Sequence, residues 1–289
     1  MAVKGGLKFL RKRIRAIRNI RKVTKAMKAV SSVRLRKAQA VFLSSKEFLE
    51  DLERKLLIST LPSIETQDSH EFTFTLSSEG EEKYKLYIVL GTDRGLCGAF
   101  NSNIFRTFQQ NFDEKNSVIW AFGKKIAKLL KKYKIERKFE EFWRDFSYEK
   151  FETIFDEISG MIRSRKISDI YCIYMLFKSP GTQIPVSERV FPVSVRLPWG
   201  PKTIFEPSLE KVLEFFSLLW LKAKLFTCFQ SSITSEHAAR IKAMDLATQN
   251  ADRLIKILNL QVNKARQEAI TKELIDIVNG KNALEAQSL

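Results

Sequence analysis

Two long segments, one near each end of the chain, carry apolar residues at helical spacing and contain no Gly or Pro. The first runs from Leu7 to Leu61 and the second from Leu209 to Asn279. At 1.5 Å per residue, helices of these lengths would extend about 80 Å and about 105 Å. Helices in globular domains average about three turns, so this pattern predicts two unusually long helices.

Each long segment has an apolar stripe that needs a partner. In the first segment the stripe follows Leu7, Leu10, Ile14, Ile17, Ile20, Val23, Met27 and Val30. In the second a heptad seam follows Met244, Ala247, Ala251, Leu254 and Leu258. Two such stripes at opposite ends of one chain predict an antiparallel coiled coil. The alternative is two independent surface helices, which would need a bundle of matching length elsewhere in the chain.

Residues 212–221 are apolar on almost every side, which is typical of a helix buried by several neighbours. This stretch reads Val-Leu-Glu-Phe-Phe-Ser-Leu-Leu-Trp-Leu. We therefore expect the second long helix to pass along a globular domain at this point.

Between the long segments, apolar runs typical of buried strands alternate with stretches of helical periodicity. Strands are predicted at 85–92, 117–122 and 170–177, and helices at 101–112, 124–133 and 148–163. This alternation favours a doubly wound, largely parallel sheet. Six of the seven prolines lie in 179–207, which predicts loops and an edge strand there. The polar, acidic residues 62–84 are predicted to form a linker.

The predicted fold class is therefore α/β. It combines a long antiparallel coiled coil of the N- and C-terminal helices with a central Rossmann-like α/β domain. The predicted boundaries are 1–61 for the N-terminal helix, 62–207 for the α/β domain and 208–289 for the C-terminal helix.

The charge is concentrated at one end of the chain. The formal net charge is +17, and residues 1–46 hold 15 Lys or Arg and no Asp or Glu. The remaining 35 bases and 33 acids nearly cancel. Such a basic end predicts contact with an acidic surface: nucleic acid, anionic lipid or an acidic protein. A mitochondrial transit peptide has a similar composition, but this segment continues unbroken into the long helical pattern.

Other compositional features exclude several classes of protein. No apolar run reaches the roughly 18 residues that span a bilayer. Two His and three scattered Cys, without a Cys-x-x-Cys pair, argue against a zinc site and a disulfide framework. We expect no metal and no cofactor, and the sparse thiols favour a reducing compartment.

One glycine-rich segment, 93–101, follows the first predicted strand of the α/β domain. Such a turn can bind phosphate through backbone N–H groups, but the segment has neither Gly-x-Gly-x-x-Gly nor a Walker-type Gly-Lys-Ser/Thr. A tight strand-to-helix turn is favoured, with Cys97 as a small buried side chain. His237 lies beside Ser235 and Glu236 on one helix, where the three side chains fan out and cannot form a triad. We find no catalytic constellation.

Several segments together resemble the γ subunits, the central rotor shafts, of F-type ATP synthases. They are 14–30, 35–39, Asp93–Gly98 with Asn101, 205–207, 235–251 and 263–271. The resemblance covers nearly the whole chain, and the two C-terminal runs are the most specific. The sequence departs from the family at Phe100, 31–33, 138–144 and the Phe-rich helix start at 215, outside the diagnostic runs.

The resemblance implies a non-catalytic subunit of a proton-translocating complex. Its coiled coil would stand inside a ring of alternating α and β subunits, and its central domain would form a foot on the membrane c ring and the ε subunit. The chain would lie peripherally, through the complex, on the cytoplasmic face of a bacterial cell membrane. Nucleotide would be bound by the other chains.

The resemblance also assigns contact residues. Contacts with the catalytic ring are expected at Thr24, Lys25, Met27, Lys28, Arg266, Gln267 and Thr271. An apolar tip that turns in a hydrophobic sleeve is expected at Ile270, Leu274, Ile277 and Val278. Foot contacts are expected at Phe205 and Glu206.

Two other functions fit parts of the sequence. A nucleic-acid-binding protein could use the basic arm, with affinity that falls steeply with salt. Against this, only Phe9 and Phe42 interrupt the basic segment as aromatics, and its apolar face needs a partner helix. An enzyme could use the loop at Gly95–Gly98, but this loop lacks a nucleophile, a base and a cofactor fingerprint.

Overall fold

The computed structural model describes residues 2–56, 58–60, 83–164, 166–195 and 206–286. Both long helices are present. Helix α1 spans Ala2–Leu56 and helix α5 spans Leu209–Ala286. Helix α1 therefore begins before the predicted Leu7 and ends five residues before Leu61, while α5 continues through Gly280.

The chain divides into two compact units. The helical unit contains residues 1–30 and 243–289, and the sheet unit contains residues 31–242. Each long helix contributes to both units, whereas the predicted boundaries followed the helices themselves. The predicted linker falls almost entirely on residues 61–82, which lie outside the described residues.

The sheet unit alternates strands and helices, as the sequence predicts. After α1 the elements are β1 (Ile58–Thr60), β2 (Tyr84–Leu90), α2 (Phe100–Asn111), β3 (Ser117–Phe122), α3 (Lys124–Leu129), a 3-10 turn (Leu130–Lys132), β4 (Ile135–Phe139), α4 (Tyr148–Arg163), β5 (Ile167–Ser179), β6 (Thr182–Phe191) and β7 (Val193–Val195). Ser147, the residue before α4, caps the first turn of this helix, because its side chain accepts a hydrogen bond from the Lys150 N–H.

The main sheet has the strand order β4-β3-β2-β5-β6. Strands β2 to β5 pair in parallel, and β6 joins β5 antiparallel at one edge. This confirms the predicted parallel sheet with an added edge strand. Strand β4 was not predicted, because its sequence Ile-Glu-Arg-Lys-Phe is mostly charged and only its alternate residues are half-buried. Strands β1 and β7 form a separate antiparallel pair.

Strand β2 is buried on both faces, and its alternate side chains enter two apolar cores. Leu86 and Ile88 pack in one core with α4 and the first half of α5. Tyr87 and Val89 pack in the other with α2 and α3. A parallel strand covered on both sides needs a continuous apolar run, which explains why the sequence identified this strand clearly.

Within the sheet unit, helix α5 is most deeply buried from Trp220 to Arg240. The predicted all-round burial at 212–221 is only partly observed, because Phe215 is 62% exposed. The deeper stretch escaped prediction because it contains many Ser, Thr and charged residues. These are normally found at the surface.

Candidate functional site: the paired helices and the glycine-rich loop

In the helical unit the first helix runs antiparallel to the last. The Arg21 Nε lies 3.1 Å from Asp252 Oδ1, the Thr24 and Thr248 hydroxyls lie 2.8 Å apart, and the Lys28 ammonium pairs with Asp245. As the residue number on α1 increases, the number of its partner on α5 decreases, as expected for antiparallel helices. These three polar contacts set the register of the pair.

The seam on α1 mostly follows spacings of three and four residues, but it differs from the predicted stripe. Its buried or half-buried positions within the helical unit are Leu7, Leu10, Ile14, Ile17, Thr24, Met27 and Lys28. Ile20 and Val23, assigned to the seam from their hydrophobicity, are 56% and 57% exposed. The prediction was wrong there because polar Thr24 enters the seam and hydrogen-bonds across it.

The seam on α5 is also displaced from the predicted one. Met244, Ala251 and Leu258 are buried as expected, but Leu254 is 46% exposed and Ile255 occupies its place. Thr248 lies in the seam beside the predicted Ala247. Continuing the spacing of four and three from Leu258 reaches three half-buried residues: Val262, Ala265 and Ala269.

Apolar side chains outside the seam are left on the surface of the helical unit. On α1 these are Ile20, Val23 and Val30, each more than half exposed. On α5 they are Leu254, Ile257 and Leu260, between 46% and 69% exposed. Exposed apolar patches of this kind mark surfaces that bind other proteins.

The predicted contact residues fall into three groups by exposure. Lys25, Arg266, Gln267 and Thr271 are exposed, Met27 and Lys28 are half-buried, and Thr24 is buried. The predicted tip residues Ile270, Leu274, Ile277 and Val278 are 47% to 68% exposed. Of the predicted foot residues, Glu206 is exposed, and Phe205 lies outside the described residues.

The glycine-rich loop of the sheet unit begins where β2 ends, and Asn101 holds it closed. Asn101 Oδ1 accepts from the Thr92 N–H at 3.0 Å, and its Nδ2 donates to the Thr92 hydroxyl at 2.7 Å. That hydroxyl donates in turn to the Arg94 carbonyl at 2.7 Å. Asn101 belongs to the segment that resembles the γ subunits, but only the structure shows that it holds the loop closed.

Asp93 holds the loop in place by accepting backbone hydrogen bonds from two other segments. Its Oδ1 accepts from the Lys124 and Glu141 N–H groups, each at 2.9 Å, and its Oδ2 accepts from the Trp143 N–H at 3.0 Å. One carboxylate thereby joins the β2 loop, the start of α3 and the segment after β4. The loop is therefore held by its own side chain.

Two glycines in and beside the loop have positive φ angles. Gly98 has φ +61°, a conformation that glycine adopts without strain, which supports the predicted tight turn. Gly123, between β3 and α3, has φ +109°, and a Cβ there would lie 2.7 Å from the Thr92 carbonyl carbon. Glycine at 123 therefore allows this segment to pack closely against the loop.

Helix α5 closes the loop from the other side. The Arg240 Nε and Nη2 both lie 3.4 Å from the Gly95 carbonyl oxygen, and Nη2 also pairs with the Glu236 carboxylate. Burial raises the pKa of Glu236, although Arg240 opposes the shift. The pKa of His237 is lowered to about 4. Burial is the largest cause, and the nearby Arg240 and Arg34 guanidinium groups add to it.

The loop lacks the chemistry of a nucleophilic site. Cys97 is 2% exposed, and burial raises the pKa of its thiol, which disfavours the reactive thiolate. Within the ranges that the structure describes, no three His, Cys, Asp or Glu side chains are grouped to hold a metal. The same ranges contain no helix long and apolar enough to cross a membrane.

Comparison with solved structures identifies the fold. The chain superposes on a chain of the Euglena gracilis mitochondrial ATP synthase, OSCP/F1/c-ring, with a TM-score of 0.73, 19% identity, and coverage of 99% of this chain and 96% of that one. A chain of the rotor of the same enzyme gives a TM-score of 0.67 at 18% identity, covering 92% and 99%. At these identities the likeness concerns the fold.

Comparison of sequences identifies the family. The ATP synthase family model matches residues 6–284. The ATP synthase gamma chain of Christiangramia forsetii is 35% identical over 96% of this chain and 98% of its own length. That of Flavobacterium johnsoniae is 34% identical over the same shares. The chain therefore belongs to the gamma chain family of ATP synthases, the central-stalk subunits of these complexes.

Proposed function

We propose that this chain is the non-catalytic rotor shaft of a proton-translocating F-type ATP synthase. In this role it couples rotation of a membrane c ring to the conformational cycle of catalytic β subunits. The observation that carries the proposal is the surface of the helical unit. Its seam is closed by polar contacts, while basic and apolar side chains remain outside for a surrounding partner.

The charge of α1 indicates what that partner presents. Two of its bases, Arg21 and Lys28, are paired with acids of α5, whereas Lys25 lies on the exposed face. An exposed basic face beside exposed Ile20 and Val23 suits a protein surface that offers both acids and apolar residues. Acidic segments of the β subunits would supply this surface, with contacts at Lys25, Met27 and Lys28. Thr24 would act mainly by keeping the two helices in register.

The last part of α5 would contact the ring in two places. Exposed Arg266, Gln267 and Thr271 have donors and acceptors available for a collar of α and β subunits. Beyond them the exposed apolar residues Ile270, Leu274, Ile277 and Val278 would turn in a hydrophobic sleeve. Apolar contact is non-directional, so a sleeve of this kind holds a turning tip without fixing its angle.

The sheet unit would serve as the foot. The Euglena chains to which this fold is similar belong to assemblies described as F1/c-ring and rotor. By analogy, the sheet unit would contact the c ring and the ε subunit, with Glu206 and Phe205 among the contacts. The chain would thus be peripheral to the membrane on its cytoplasmic face.

The closed glycine-rich loop supports the non-catalytic part of the proposal. Asp93 ties the loop to the N–H groups of Lys124, Glu141 and Trp143, and Arg240 of α5 packs against the Gly95 carbonyl. Nucleotide would therefore be bound by the other chains. To shift a catalytic site from a 1:99 to a 99:1 ratio of two states, the shaft must supply a bias of about 5.5 kcal/mol. The surrounding subunits must therefore hold the shaft firmly.

The test is a double substitution, Arg266→Ala with Gln267→Ala, in the assembled complex. Both side chains are exposed, and Ala is a good helix former, so the free energy of unfolding should change by only a few tenths of a kcal/mol, about 0.5 at most. Charge-assisted hydrogen bonds of about 1.5–3 kcal/mol would be lost at the collar. We expect slower ATP turnover or weaker assembly, measured on the purified complex.

A matched control is Lys256→Ala with Asn259→Ala. This pair also removes one base and one amide from exposed positions of α5, outside the proposed contacts. It should assemble and turn over ATP as the wild type does. If the Arg266 and Gln267 variant also behaves as the wild type, these residues do not grip the ring.

A further inference from the structure

Strand β5 extends beyond its neighbour β2, and helix α5 replaces the missing strand. The β2–β5 ladder ends at Val89 opposite Ile173, whereas β5 continues to Ser179. Beyond the ladder the Phe177 N–H donates to Ser231 Oγ at 2.8 Å, and the same hydroxyl donates to the Met175 carbonyl at 3.1 Å. A serine hydroxyl can both donate and accept, so Ser231 supplies both bonds that a strand would have made.

Two further serines on the same face of α5 reach the sheet. Ser235 Oγ donates to the Met175 carbonyl at 3.1 Å, and Ser232 Oγ donates to the Leu90 carbonyl, the last residue of β2, at 3.3 Å. The three serines are 0% to 2% exposed. We call Ser231, Ser232 and Ser235 the serine joint.

The serine joint fixes the helix in a way that apolar packing does not. Apolar packing holds the helix against the sheet, but its individual contacts are non-directional. Hydrogen bonds weaken steeply when they are bent, and an unbonded polar group is costly to bury. Four bonds from one helix face to the ends of two strands therefore define one orientation of α5 on the sheet.

We propose that the serine joint is the torque-bearing connection between the sheet and α5, and that its three serines are positioning residues for energy coupling. This inference rests on the proposed function. Helix α5 continues unbroken to Ala286, so rotation imposed on the sheet passes along α5 only if the helix does not turn where it leaves the sheet. Loosening the joint lets ATP hydrolysis proceed while less of its work reaches the proton-translocating part.

The amide of Phe177 reports directly on the joint, because its N–H bonds to Ser231. In Ser231→Ala that bond is lost. Its loss corresponds to about a tenfold increase in the population of molecules in which the Phe177 amide is open to exchange. Hydrogen exchange of Phe177, measured in the assembled complex, should therefore be faster by about tenfold. The matched control is Ser217→Ala on the same helix. Ser217 is 5% exposed, and its hydroxyl has no hydrogen-bond partner among the described residues.

The functional measurement is made on membrane vesicles that carry the whole complex. ATP hydrolysis and ATP-driven proton pumping are recorded together for the wild type, Ser217→Ala, and the double variant Ser231→Ala with Ser235→Ala. We expect the double variant to retain most of its hydrolysis while protons pumped per ATP fall several-fold. The Ser217 control should keep the wild-type ratio. A merely destabilising change would lower both activities together, so the ratio separates the two roles.

An unchanged pumping ratio in the double variant, together with faster Phe177 exchange, would overturn the inference. If the double variant does not assemble, Ser232→Ala alone removes the longest bond of the joint and is measured in the same way. A wild-type ratio there, with faster Phe177 exchange to show that the joint has loosened, also overturns it. Failure of the proposed function looks different: wild-type vesicles would then show no ATP-driven pumping that depends on this chain.

Discussion

The sheet unit contains buried polar contacts to backbone groups, whereas the two helices of the helical unit are joined by contacts between side chains. In the sheet unit, Asp93 and Ser231 bond to backbone groups of neighbouring elements, and Ser231 is fully buried. In the helical unit, Arg21 and Lys28 pair with side chains on the opposite helix and remain nearly half exposed. The sheet unit thus fixes its geometry through buried bonds, whereas in the proposed function a surrounding partner covers the surface of the helical unit.

This comparison predicts the largest loss of stability for aromatic truncation in the sheet unit. The ring of Phe229 is fully buried and contacts the rings of Phe122, Phe142 and Phe151. Phe229→Ala should lower the free energy of unfolding by about 3–5 kcal/mol, measured by urea denaturation. Phe215→Ala, on the same helix at a position 62% exposed, should change it by less than about 0.5 kcal/mol. Equal losses would remove the contrast between core and surface on α5.

The next effect concerns pH. The folded chain binds a proton at His237 only near its lowered pKa of about 4, whereas the unfolded chain binds it near about 6.5. The unfolded state therefore binds more protons between these values, and the free energy of unfolding should fall by about 2–3 kcal/mol as the pH drops through them.

His237→Gln isolates this contribution. The raised pKa of Glu236 acts in the opposite sense. Its carboxyl is protonated more readily in the folded chain than in the unfolded chain, so it lowers the free energy of unfolding as the pH rises. The informative quantity is thus the difference between wild type and His237→Gln, followed by denaturation from pH 7 to pH 4. If the two curves stay parallel, His237 is not held neutral in the fold.

A smaller loss is expected at the loop. Asp93→Ala would leave three backbone N–H groups, of Lys124, Glu141 and Trp143, without their acceptor. Since these groups are only partly buried, water replaces some of the bonds, and the cost should be about 2 kcal/mol. Asp93→Asn keeps one carbonyl oxygen and should lose less. Thermal unfolding of both variants provides the measurement, and an Asn variant worse than the Ala variant would contradict this account.

The smallest effect is expected in the helical unit. Arg21→Ala breaks the ion pair between Arg21 and Asp252. The two side chains are 45% and 47% exposed. Exposed ion pairs contribute about 0.2–1 kcal/mol, so the free energy of unfolding should fall by no more than that, and less at high salt. A double-mutant cycle with Asp252→Ala measures the coupling energy. A coupling above about 2 kcal/mol would place this pair among buried charge pairs and remove the contrast between the units.

Elements with strong periodicity were predictable from the amino-acid sequence. The absence of Gly and Pro predicted both long helices, and apolar runs predicted β2, β3 and β5 close to their observed limits. The Ser179–Pro207 prolines correctly indicated an edge strand. The resemblance to γ subunits rested on short sequence motifs, which can be recognised without knowledge of the tertiary structure.

Tertiary structure alone decided which residues face the partner helix and which polar groups are buried. Hydrophobicity assigned Ile20, Val23 and Leu254 to the seam, but Thr24, Thr248 and Ile255 occupy it. Surface residues of a shaft can be as apolar as its seam when another protein covers them, so hydrophobicity does not separate the two faces. Ser231 and Asp93 look like ordinary surface residues in sequence. They become structural only because distant backbone groups lack partners there, and such pairing depends on segments far apart in the chain.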